Sequence, residues 1–113
     1  MKMINQALLS LIAGFAIAAP SMAADINLSV DPNNDTFTLT NTLRQAVHVI
    51  SLGSNSTYLG LSLDLSAGGS RTVKYHGALP VLDFARCLSP DGVKLTDRTP
   101  SKQGYYDLSL SIQ

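Results

Sequence analysis

The sequence predicts an all-β chain: a signal peptide followed by a single antiparallel β-sandwich of about seven or eight short strands. Three observations carry that expectation. Apolar and polar residues alternate at period two through much of residues 24–113, the pattern of strands with one face buried and one wet. Clusters of Gly, Pro, Asn, Asp and Ser interrupt the alternation about every 8–12 residues, as turns between short strands do. Glu is absent while Thr and Tyr are well supplied, so one strong helix former is missing and residues that suit a pleated surface are not.

Residues 1–23 read as the leader. Lys2 gives a positive start, residues 7–19 are apolar apart from Ser10 and Gly14, and Pro20 precedes Ser21, Met22 and Ala23. A charged start, an apolar middle and small residues at the −3 and −1 positions are the three parts of a secretory signal peptide, cut here between Ala23 and Ala24. The apolar middle falls short of the roughly 20 residues a permanent membrane helix needs. The mature domain, residues 24–113, is therefore expected in the periplasm or outside the cell, with no transmembrane segment. Its length suits one domain.

The strands follow in order. Ile26, Leu28 and Val30 alternate with Asn27 and Ser29, and Asp31, Pro32, Asn33, Asn34 and Asp35 form a turn. Phe37 and Leu39 alternate with Thr36, Thr38 and Thr40. After a break at 41–45 comes an apolar run over 46–52, closed by Gly53 and Ser54. Leu59, Leu61, Leu63 and Leu65 would wrap right round a helix but line one side of a strand. Ala67, Gly68 and Gly69 lead into a strand over 71–75. Pro90 and Gly92 fit a tight turn, which predicts a hairpin joining 82–88 to 93–96. Finally Tyr106, Leu108, Leu110 and Ile112 face one way while Tyr105, Asp107, Ser109 and Ser111 face the other. The expected core is Ile26, Leu28, Phe37, Leu39, Val47, Val49, Leu61, Leu63, Val73, Leu82, Phe84, Leu108 and Leu110.

The stretch Phe37-Thr38-Leu39-Thr40-Asn41-Thr42, then Ala46-Val47-His48-Val49, then Leu65-Ser66-Ala67-Gly68-Gly69-Ser70 before Arg71-Thr72-Val73 resembles small immunoglobulin-like domains of secreted and periplasmic bacterial proteins. The likeness covers roughly residues 26–76. It lacks the paired cysteines and central tryptophan of antibody domains. It implies a fold used for adhesion, pilus assembly, scaffolding and inhibition, and it supplies no catalytic residues.

Charge and motifs narrow the function. Eight Lys and Arg balance eight Asp, so no basic field exists to gather nucleic acid. No HExxH, CxxC, GxSxG, P-loop or dinucleotide glycine pattern occurs, and no cofactor is implied. Cys87 is the single cysteine, which excludes an internal disulfide and leaves a buried thiol or a bond between chains. Asp31, Asn33 and Asp35 alternate oxygen ligands as a calcium loop does, although Thr36 and Thr42 stand where an EF-hand needs Gly and Glu. The competing role of these residues is turn capping.

The leading expectation is a non-enzymatic interaction module binding a protein partner through a sheet edge or loop end, as an assembly or surface component, with self-association open to it. The first and last strands are its expected edges, and Tyr105, Tyr106, Asp107 and Ser109 its contact residues. Two other classes stand beside it. One is a calcium- or carbohydrate-binding sandwich using the Asp31–Asp35 loop. The other is a small hydrolase or metal-dependent enzyme gathering His48 or His76 with Asp.

Overall fold

The computed structural model describes residues 24–113, and the signal-peptide expectation lies outside them. Seven strands form: β1 (Ile26–Asp31), β2 (Thr36–Asn41), β3 (Val47–Gly53), β4 (Tyr58–Leu65), β5 (Ser70–Lys74), β6 (Phe84–Leu88) and β7 (Tyr106–Ile112). They join into one sheet in the order β4-β3-β6-β7-β1-β2-β5. The chain is all-β among the described residues, as the alternation predicts. No helix there is long and apolar enough to cross a membrane.

Two expectations about the sheet are corrected. It is mixed rather than antiparallel, because β1 and β7 run side by side in the same direction, with Ile26, Asn27 and Leu28 opposite Leu110, Ser111 and Ile112. The first and last strands are therefore not edges. They sit in the middle, and the edges are β4 and β5. Strand β7 divides its pairing: Tyr106 to Ser109 pair with β6, whereas Leu110 to Ile112 pair with β1. The sheet curls until it is nearly barrel-like, its outer strands β4 and β5 coming into contact. Between the outer strands Arg71 donates to the Asp64 carbonyl, 3.4 Å, and at the end of β2 Asn41 Nδ2 donates to the carbonyls of Gln45 and Ser66 in the neighbouring loops, 2.9 and 3.1 Å. Asn41 is fully buried, so these bonds replace the water its amide would otherwise hold.

Inside the curl lies one apolar core of Ile26, Leu28, Phe37, Leu39, Val47, Val49, Leu52, Leu63, Leu65, Leu82, Ala85, Cys87, Leu95, Tyr106, Leu108 and Leu110. Leu61 and Val73 are only half-buried against it. Leu52 enters because a bulge between Val49 and Ser51 shifts β3 by one residue, so side chains three apart both point inward. Phe84 is corrected outward: the inward residues of β6 are Ala85 and Cys87, and the Phe84 ring lies over Gly53, where a Cβ would come within 3.0 Å of it.

The predicted strand over 93–96 does not form. The tight turn before it does, with Gly92 at φ 69° and its amide donating to the Ser89 carbonyl, 3.1 Å. Both sides of β6 are already taken by β3 and β7, so a hairpin partner has no place there. The Gln45 side chain stands in for a neighbouring strand, donating to the Lys94 carbonyl and accepting from the Thr96 amide, 3.2 and 2.8 Å. Leu95 is thereby pinned into the core, its amide donating to Tyr106 Oη, 3.2 Å.

Candidate functional site

Alternation on β3, β4, β6 and β7 sends one residue in two to the outside of the curl, and among those residues are His48, Ser62, Asp64, Arg86 and Asp107. Register fixes their neighbours: Tyr58 lies opposite Gly53, and Gly53 opposite Phe84. Arg86 lies opposite Ser51 on one side and Asp107 on the other. His48 lies between Asp64 and Leu88. Small residues at Gly53, Ser51 and Gly60 leave this face low in the middle, and the Tyr58 ring reaches back over Gly60, where a Cβ would meet it at 3.3 Å.

Arg86 organises one half. Its Nε and Nη2 donate to the two carboxylate oxygens of Asp107, 2.8 and 3.1 Å. That pair fixes the guanidinium, whose carbon lies over the Tyr105 ring at 4.0 Å and over the Phe84 ring at 5.7 Å from the ring centroids. The hydrogen bonds that Arg86 donates to Asp107 raise its pKa above the ordinary value, desolvation opposes the rise, and the negative charge of Asp107 adds to it. As a surface ion pair this contributes little stability. What it provides is a cation held in place by a carboxylate beside two aromatic rings.

The other half is a line of three side chains. Ser62 and Asp64 are two apart on β4 and share its outward side. The His48 ring joins them, Nδ1 at 2.6 Å from Asp64 Oδ1 and Nε2 at 3.1 Å from Ser62 Oγ.

Of the contact residues expected from sequence, Tyr105, Asp107 and Ser109 belong to the outward side of the last strand and its approach. Tyr106 points into the core, only 4% exposed. Ser109 Oγ accepts from the Asp25 amide, 2.8 Å. Asp25, nearly buried, holds Arg98 through both carboxylate oxygens, a bond that raises the Arg98 pKa.

Asp31, Asn33 and Asp35 are arranged as a turn. The Asp31 carboxylate accepts from the Asn33 amide and from Asn34 Nδ2, 3.2 and 2.8 Å. Asp35 takes the left-handed conformation at φ 53° and faces His76, 3.4 Å away. Among the described residues no group of three or more His, Cys, Asp or Glu is placed to hold a metal. An open pocket of about 400 Å³ adjoins this turn, with Val30, Phe37, Tyr75, Leu79, Asp35 and His76 among its lining. Cys87 is fully buried, and burial pushes its thiol pKa up to about 12, with the charges of Asp107 and Asp25 adding to the rise.

Sequence reasoning singled out Tyr105, Asp107 and His48 but missed Arg86, Phe84, Ser62 and Asp64 as their partners. Only strand register could have joined them, and nothing in the spacing of β6 or β4 announces which strand lies alongside. No family model, curated protein or solved structure matches this chain.

Proposed function

We propose that the folded chain is a secreted or periplasmic, non-enzymatic interaction module of immunoglobulin-like type. In this reading it grips another protein with the outward face of β4, β3, β6 and β7. The pattern of residues 1–23 supports the compartment. The strand grouping supports the fold: β1, β2 and β5 stand where strands A, B and E stand in such sandwiches, β3, β6 and β7 where C, F and G stand, and β4 beside β3 as C′ does.

The observation that carries the binding role is the cluster of Arg86, Tyr105, Phe84 and Asp107. Arg and Tyr are the residues that dominate binding energy when a partner covers them, because a preorganised guanidinium loses little freedom on burial. The face continues to β4, an edge strand whose one charged residue is Asp64.

The test is affinity capture from native envelope and culture fluid with the wild-type protein and with an Arg86→Ala, Tyr105→Ala double variant, both shown to be folded by circular dichroism. A protein retained by wild type and weakened about 30-fold or more by the double variant is the expected result. Identical capture by both baits would overturn the reading.

A further inference from the structure

The Ser62–His48–Asp64 line has a chemistry that a binding face does not require. A carboxylate accepts hydrogen bonds and cannot donate them. Asp64 at 2.6 Å therefore fixes the His48 proton on Nδ1. In the neutral ring Nε2 is then a bare acceptor, and the group 3.1 Å from it is the Ser62 hydroxyl, which must donate. A serine whose proton already points at an imidazole nitrogen, itself oriented by a carboxylate, is the arrangement that makes an alcohol nucleophilic.

The line is also held in place. His48 is paired in register with Asp64 across β3 and β4, and its ring is only 28% exposed. Ser62 and Asp64 ride on one strand, so their spacing follows from the pleat. The Asp64 main chain is anchored by Arg71.

We propose that Ser62 is an activated hydroxyl that takes an acyl group from activated acyl esters, forming a stable ester once per molecule. In the step, Ser62 Oγ bonds to the acyl carbon and its proton passes to His48 Nε2. The bond from the acyl carbon to the leaving oxygen breaks, and the leaving group departs with the electron pair and recovers the proton from His48. Asp64 balances the charge on the imidazolium while it lasts. The line stands on an open sheet face, where bulk water competes with any donor for the oxyanion. That loss slows acylation and hydrolysis alike, but the activated ester has a good leaving group whereas hydrolysis must expel the serine alkoxide. The acyl group therefore stays, and the product is a modified serine rather than turnover.

The experiment incubates the whole protein with p-nitrophenyl acetate, follows nitrophenol release and maps the acetyl group by peptide mass spectrometry. One equivalent of release and acetylation at Ser62, ahead of the exposed Ser56 and Ser66 in the same molecule, is the expected result. Ser62→Ala abolishes that label, His48→Gln slows it about 100-fold, and Asp64→Asn slows it about 10-fold because this carboxylate is largely solvated. All three positions lie at the surface, so each variant is expected to fold, and circular dichroism checks it. Acetylation spread evenly over serines, confined to lysines, or unchanged by His48→Gln would overturn the proposal.

Discussion

Alkaline pH removes stability from this fold through the buried Cys87 thiol. Cys87 lies on β6, fully buried, with Sγ 3.6 Å from the Ala85 carbonyl as its hydrogen-bond acceptor. Burial raises its pKa from 9.0 to about 12. An unfolded chain loses this proton near pH 9, whereas the folded chain keeps it to about 12. The folded state thus binds more protons throughout that window, and stability must fall as pH rises. The contribution is whole below about pH 9 and is lost by about pH 12, at a slope of about 1.4 kcal/mol per pH unit. By about pH 11 the loss is of order 3 kcal/mol, a large share of the 5–15 kcal/mol that holds a typical domain together. The assay is urea unfolding from about pH 8 to about pH 11, on wild type and on Cys87→Ala. The two proteins share every other ionisable group, so the difference between them isolates the thiol. That difference should be constant below about pH 9 and shift against wild type above it. A difference that stays flat to about pH 11 would refute the reasoning. The same burial makes the native thiol inert to disulfide reagents and closes it to bonding between folded chains.

Three further substitutions probe the elements that set the face. Arg98→Ala leaves the nearly buried Asp25 carboxylate without its cation and should cost about 2–3 kcal/mol, below the fully buried range because Arg98 is partly exposed; thermal unfolding should fall by of order 10–20 °C. Asn41→Asp keeps the shape but loses the amide that serves the Gln45 and Ser66 carbonyls, and should cost about 2 kcal/mol or more in urea unfolding. Leu52→Ala should cost about 2–5 kcal/mol by the same assay, whereas a strand without the bulge would point Leu52 to solvent and lose almost nothing.

Much of the fold was legible because period two survives wherever one strand face is buried. Ile26, Leu28, Phe37, Leu39, Leu63, Leu108 and Leu110 are core residues as their spacing predicts. The misreadings share a cause: alternation describes a strand but not its neighbours. Leu52, absent from the expected core, entered it at a bulge, and Phe84 left it where a new strand start reset the phase. The 93–96 strand failed because β6 had no free side, a fact about the whole sheet. The parallel meeting of β1 and β7 joins residues more than 80 positions apart, beyond the reach of any local pattern. The site followed the same rule. His48 was visible as a titratable residue on a strand, but Ser62 and Asp64 became its partners only through the register of β3 and β4.

The most direct test of where a partner sits is photo-crosslinking in the native host, with a benzophenone amino acid placed at position 105 and, as a control, at position 72. Thr72 is exposed on β5, on the other side of the curl. A discrete adduct from position 105, with none from position 72, is the predicted outcome. Adducts from position 72 alone, or from neither position, would contradict the assignment of the Arg86 face as the contact surface.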